Sequence, residues 1–329
     1  MFDMKKYFKI LEFARRVFLH YNSRVESWTS QERGSTDVDD ISREITDLLD
    51  SSEPCMIARF GSTELDAISN YLGVSGRSPV KQNLYNFITC KCPEWWWSDF
   101  RLNNMKNLSG FFPSTPETIK VFSEMMLSDC KEVDLLGCWR KRESWLSDYL
   151  PTSIIRVDRE RINPFFAKKP WTLALKGKKV LVIHPFAKSI ISQYNRKDLV
   201  FPNGMLPDFK LKVIPAVQSL GGSNSFESWF DALDSMKQEM DKCDYDIVLL
   251  GCGAYGFPLA AHAKRMGKKA IHIGGALQLY FGIIGKRWES EGYKGGPSDY
   301  SILFNEYWVR PSDDETPTSA NGVESGCYW

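Results

Sequence analysis

The sequence predicts an α/β protein: a Rossmann-like, mostly parallel sheet with helices on both faces. Three observations predict it. From residue 55 onward, short apolar runs alternate with segments of helical periodicity. One run, Asp246-Ile247-Val248-Leu249-Leu250, leads straight into Gly251-Cys252-Gly253-Ala254-Tyr255-Gly256, which matches G-x-G-x-x-G in the strand-to-helix setting that gives that pattern meaning. A second glycine loop, Ile273-Gly274-Gly275-Ala276, follows the next strand, so two adjacent loops frame one crevice at the ligand edge of the sheet.

The elements follow in order. Met4, Tyr7, Phe8, Leu11, Ala14 and Phe18 fall at helical spacing with lysines and arginines on the other side, predicting an amphipathic helix. It is expected to pack on its own domain or a partner subunit; the alternative is docking on an anionic membrane surface. Residues 22–38 read as a polar loop and 37–49 as a helix. Cys55 to Phe60 is a strand ending at Gly61, and Ser62 caps a helix with Leu65, Ile68 and Leu72 on its inner face. Further strands are expected at 133–138, 179–184, 211–217, 246–250 and 269–273. Helices are expected from Ala187, over 226–240 and over 255–266. The division is a helical N-terminal segment (1–50), a Rossmann-like catalytic domain (51–310) and a polar tail (311–329) whose final Cys327-Tyr328-Trp329 is apolar enough to dock back.

Composition narrows the function classes. The 329 residues are 43% hydrophobic and 25% charged, ordinary for a globular chain, and the net charge of +1 lacks the overall basic field of a nucleic-acid binder. Residues 1–21 carry charges throughout, unlike a signal peptide, and no run approaches the roughly 20 apolar residues of a spanning helix. Of the eight cysteines, Cys55, Cys138, Cys243 and Cys252 sit in or beside apolar runs, as free thiols do, and Cys90-Lys91-Cys92 is too tightly spaced for a zinc pair. The expectation is a cytoplasmic protein, with peripheral contact at the inner membrane face through the N-terminal helix as the alternative.

Candidate site residues sit at strand ends. Gly251, Gly253, Ala254, Tyr255 and Gly256 would bring unpaired N–H groups and a helix N-terminus to a phosphate. A dinucleotide site would place an acid at the end of the following strand. That position is His272, and Asp and Glu are absent from 266–288, so an NAD cofactor is disfavoured and a mononucleotide diphosphate stays open. His272 could donate to a diphosphate oxygen, and Lys286-Arg287 could neutralise a leaving diphosphate. Arg59-Phe60-Gly61-Ser62-Thr63-Glu64 places charge at the end of a buried strand, where Glu64 could act as base, bind a sugar hydroxyl or hold a metal. Lys188 and Ser189, near a helix start, are further phosphate candidates, and Trp95-Trp96-Trp97 could form an acceptor wall or pack in a core or interface.

Arg59 to Glu64, with His272-Ile273-Gly274-Gly275, resembles the Arg-x-Gly-x-x-Glu and His-x-Gly-Gly-like pair of the GT-D glycosyltransferases, over roughly residues 50–310. The stretch from Gly253 through Trp288 is also similar to proteins of bacterial polysaccharide clusters. The resemblance implies a single Rossmann-like domain that moves a sugar from a nucleotide donor, often UDP-linked, to a glycan or lipid-linked glycan acceptor. It implies Glu64, Arg59 and His272 as catalytic, with Gly61, Ser62, Gly274 and Gly275 among the donor-binding residues; Lys286 and Arg287 are added to these on their charge alone. The family commonly carries Asp-x-Glu; here Ser62-Thr63-Glu64 lacks the Asp, so a divalent metal stays open with Glu64 its one candidate ligand. No tightly bound cofactor is expected, and a homo-oligomer is left open. The competing readings are another nucleotide enzyme, such as an NAD-linked oxidoreductase or epimerase, and a non-catalytic module of cell-envelope assembly.

Overall fold

A computed structural model describes residues 4–22, 34–219, 226–289, 299–316 and 326–329. The expected loop falls largely outside these at 23–33, and the expected tail largely outside at 317–325. In chain order the elements are α1 (Met4–Tyr21), α2 (Val38–Asp50), β1 (Cys55–Ala58), α3 (Ser62–Val74), α4 (Leu84–Ile88), α5 (Asp99–Leu108) and α6 (Pro116–Asp129). Then come β2 (Leu135–Cys138), β3 (Ile155–Asp158), β4 (Lys179–His184), α7 (Ala187–Tyr194), α8 (Lys197–Val200) and β5 (Lys210–Pro215). The chain continues through α9 (Trp229–Asp241), β6 (Ile247–Leu250), α10 (Gly256–Arg265) and β7 (Lys269–His272).

The seven strands form one sheet in the order β3-β2-β1-β7-β6-β4-β5, and every pairing is parallel. The predicted fold class is therefore the observed one. Side chains alternate across each strand, and the two faces fill separate cores. Met56, Ala58, Leu181, Ile183, Val248 and Leu250 pack with α3, α6, α9 and α10, while Cys55, Ile57, Val180, Val182, Ile247 and Leu249 pack beneath α2 and α7. Because both faces are covered, these strands are apolar at successive positions. β3 differs: as an edge strand it carries Arg156 and Asp158 and is only half-buried, and no apolar run announces it.

Chain order fixes where a ligand belongs. β4 leads to β5 on one side, whereas β6 leads to β7 on the other, so the connections diverge between the neighbours β4 and β6. Open α/β sheets bind ligands outside the carboxyl ends of strands at such a divergence.

α2 buries Ile41, Ile45 and Leu49 completely against the sheet, about 1.5–3 kcal/mol each, so it belongs to the same body as the strands. α1 does pack on its own chain. Leu11 is buried with Phe87, Cys92 and Trp96, and Phe8 stacks on Trp96 at 4.3 Å. That contact explains the tryptophan run: Trp96 receives α1, Trp95 meets Phe87 edge-on, and Trp97 packs near Tyr71. The run lies away from the cavity described below, so it forms no acceptor wall there. A buried ion network ties the joint: Glu94 contacts Arg15 at 3.3 Å and Arg101 at 3.1 Å, and Asp66 bridges Arg101 to Arg142. Despite its burial, the neighbouring guanidiniums of Arg101 and Arg15 hold the Glu94 carboxyl down at about 2. No helix among the described residues is long and apolar enough to cross a membrane, and no disulfide joins the cysteines among the described residues.

Candidate functional site

A cavity of about 500 Å³ opens at the carboxyl edge of the sheet, a volume suited to a small molecule of nucleotide size. Each of the seven strands delivers a residue to it. Arg59 follows β1, Trp139 and Arg140 follow β2, Arg159 follows β3, His184 ends β4, Val217 lies just beyond β5, Gly251 follows β6, and His272 ends β7 with Gly275 shortly after it.

The charged side chains of this cavity are mostly cationic, although Arg159 also pairs with Glu160 just outside it. Arg59, Arg140, Arg159 and Arg287 line it, and Glu64 is the one Asp or Glu that does so among the described residues. Arg59 is half-buried and donates from Nε to the Ile273 carbonyl at 3.2 Å and from Nη1 to the Phe60 carbonyl at 3.3 Å. No carboxylate lies within ion-pair distance of it among the described residues, and burial followed by the nearby Arg159 lowers its pKa from the usual guanidinium value. The Arg140 and Arg159 guanidiniums stack over the Trp139 ring, 4.4 and 4.1 Å from its centroid. The indole itself is pinned by Nε1–H donating to the Phe60 carbonyl at 3.0 Å. Glu64, in the first turn of α3, accepts a hydrogen bond from Ser109 Oγ at 2.7 Å and forms no ion pair with Arg59.

Glycines make room for these side chains. A Cβ on Gly274 would lie 1.7 Å from Arg59 Nη2, and one on Gly256 would lie 2.2 Å from His272 Nδ1. Gly61, Gly251 and Gly275 likewise leave space for Glu64, His184 and Tyr328. The G-x-G-x-x-G turn therefore serves two ends. Gly253 takes a left-handed φ of +57° with open space before it, while its two outer glycines seat histidines. Both rings are buried and stay neutral: burial holds His184 at about 3, and burial with Arg59 beside it holds His272 at about 3. His272 Nδ1 has no hydrogen-bond partner among the described residues.

The chain end does dock back. Tyr328 and Trp329 form part of the cavity wall. Tyr328 accepts from Arg287 Nη1 at 3.1 Å with the guanidinium 4.5 Å from the ring centroid, and the Arg287 N–H donates to the Cys327 carbonyl at 2.9 Å.

Of the residues singled out from sequence, Arg59, Gly61, Ser62, Glu64, Gly251, Gly253, Ala254, Tyr255, His272, Gly275 and Arg287 come together around this cavity. Tyr255 also stacks on Trp229 at 4.8 Å, so its ring is held by the core. Gly256 and Gly274 stand behind the wall in the supporting role just described. Three residues fall elsewhere. Lys188 points outward to pair with Asp314, and its backbone N–H donates to Glu315 at 2.6 Å. Ser189 Oγ and N–H also bond Glu315, so the start of α7 is taken by a carboxylate of the same chain. Lys286 is exposed beside the cavity rather than in its wall. Trp139, Arg140, Arg159 and His184 join the site without having been assigned a role from sequence. Each sits at or just past a strand end, the signal that singles out Arg59; β3 was hidden by its charged edge sequence, and Arg159 with it.

Among the described residues no group of three or more His, Cys, Asp or Glu stands together to hold a metal ion. A single Asp or Glu among arginines does not fit a resident divalent cation, which calls for several hard oxygen ligands; it fits an anionic ligand. Comparison with protein-family models, curated proteins and solved structures returns no match for the chain.

Proposed function

We propose that the chain is a glycosyltransferase of the GT-D type that moves a sugar from a nucleoside-diphosphate donor, UDP-linked by preference, to a glycan or lipid-linked glycan acceptor. The observation that carries this reading is the set of four arginines around one acidic side chain in a cavity at the strand divergence. A diphosphate is the ligand such a set suits, since guanidiniums bind phosphate oxygens through paired N–H groups. Arg59, Arg159 and Arg287 stabilise the charge that grows on the departing nucleoside diphosphate, in a site where part of the hydration shell is replaced by fixed donors. Leaving-group stabilisation is assigned to these arginines rather than to a metal. Glu64, held by Ser109, is the one Asp or Glu on the wall among the described residues and is assigned the acceptor hydroxyl, taking its proton as the glycosidic bond forms. His272 at the end of β7 replaces the acid that a ribose-binding dinucleotide site carries, which weighs against NAD.

A thermal-shift panel tests the reading, with UDP, GDP, CDP, UDP-sugars and NAD, each with and without Mn²⁺. One nucleoside diphosphate and its sugar conjugate should stabilise the chain by about 2.7 kcal/mol at a hundred times their dissociation constant, a rise of a few degrees, with no added effect of Mn²⁺. A shift with NAD alone would overturn the transferase reading in favour of an oxidoreductase or epimerase. Silence across the panel would favour a non-catalytic module.

A further inference from the structure

His184 closes β4 at the point where the chain connections diverge, and it is one of the residues that line the cavity. Its Nδ1 accepts the backbone N–H of Phe186 at 3.0 Å. A backbone N–H can only donate, so in the neutral ring Nδ1 carries the lone pair and the proton sits on Nε2. The residue is 2% exposed, and among the described residues the one hydrogen bond its ring makes is that from Phe186 to Nδ1. The ring lies close over Gly251, where a Cβ would come within 2.5 Å of its Cδ2, and against Phe186, 4.9 Å away between ring centroids.

The same glycine backbone borders Arg59. The vacant Cβ position of Gly251 lies 3.1 Å from the Gly274 carbonyl, and that of Gly274 lies against Arg59 Nη2. His184 and Arg59 thus flank one patch of glycine backbone from two directions. We propose that His184 is a hydrogen-bond donor to the diphosphate, its Nε2–H bonding a phosphoryl oxygen held in the cavity beside Gly251 and Arg59. The proposal rests on the nucleoside-diphosphate reading and names a residue that reading leaves without a role. Burial keeps the imidazole neutral, so it donates without adding a fifth positive charge to the cavity, and the bond strengthens as charge builds on the leaving oxygen.

The test is the affinity of the full chain for the tightest of UDP, GDP, CDP and ADP, by calorimetry, and for the matching nucleoside, by ligand-observed NMR. It compares wild type with His184→Asn, which keeps an acceptor near the Phe186 N–H and lacks a donor at the Nε2 position. His184→Met, donorless and of similar volume, takes its place if the Asn variant does not fold. The diphosphate should weaken about ten- to a hundredfold, the value of one bond to a charged acceptor, while the nucleoside stays within about twofold of wild type. Unchanged diphosphate affinity, or equal losses for diphosphate and nucleoside, overturns the role of His184 and leaves the diphosphate site standing. A wild-type chain that binds none of the four refutes the diphosphate site itself, and the His184 role falls with it.

Discussion

Gly256 and Gly274 each leave space that one methyl group would fill, yet they are not equivalent. Gly256 has an ordinary helical φ of −64°, so Gly256→Ala leaves the backbone at ease and acts only by pushing on His272. Gly274 has φ +70°, so Gly274→Ala adds about 1–3 kcal/mol of backbone strain to the displacement of Arg59. Both variants should lose at least about tenfold in diphosphate affinity, one bond to a charged group, and urea unfolding should show the larger stability loss in Gly274→Ala alone. Wild-type affinity in Gly274→Ala would mean that Arg59 does not meet the ligand. At this scale the sequence was readable wherever a residue contradicts its surroundings: Arg59 and Glu64 at the end of a buried strand, glycines after another. What it did not disclose was which side chain each glycine accommodates, because Gly256 and His272, or Gly274 and Arg59, meet only through the sheet.

The elements were readable in proportion to their burial. β1, β4, β6 and β7 are covered on both faces, and their apolar runs marked them; β3, at the edge with charged residues, had no such mark. α6 carried its own signal, Thr115 as cap and Pro116 at the first helical position, although no strand beside it drew attention to it. α1 was legible as an amphipathic helix, but its seat on Trp96 required the tertiary fold. Its contacts form a cluster separate from the two sheet cores, which gives an expectation at this scale. Leu11→Ala should remove about 2–3 kcal/mol from the docking of α1 and leave the sheet and cavity intact. Limited trypsin digestion should then cut sooner at Arg15 and Arg16 while diphosphate affinity stays at the wild-type value. Loss of affinity together with α1 would show that the helix supports the cavity.

Across the whole molecule, the two buried histidines tie stability to pH. Their folded pKa of about 3 lies below the unfolded value of about 6.5, so their full contribution is present above pH 6.5 and is lost as pH falls from there toward 3. At pH 5 each costs about 2 kcal/mol. Asp129 works the other way: burial outweighs Arg265 and pushes its carboxyl up to about 6, so its protonation returns about 1–2 kcal/mol over the same interval. Urea unfolding should therefore give a chain about 2–3 kcal/mol less stable at pH 5 than at pH 7. Equal stability at the two values would mean that these rings accept protons inside the fold. Two indoles stand in the cavity wall, Trp139 beneath a pair of guanidiniums and Trp329 near Phe186, while most of the eleven in the chain lie elsewhere. A molecule entering there displaces water and charge from around two natural fluorophores, so the protein carries its own optical gauge of occupancy and its titration needs no dye.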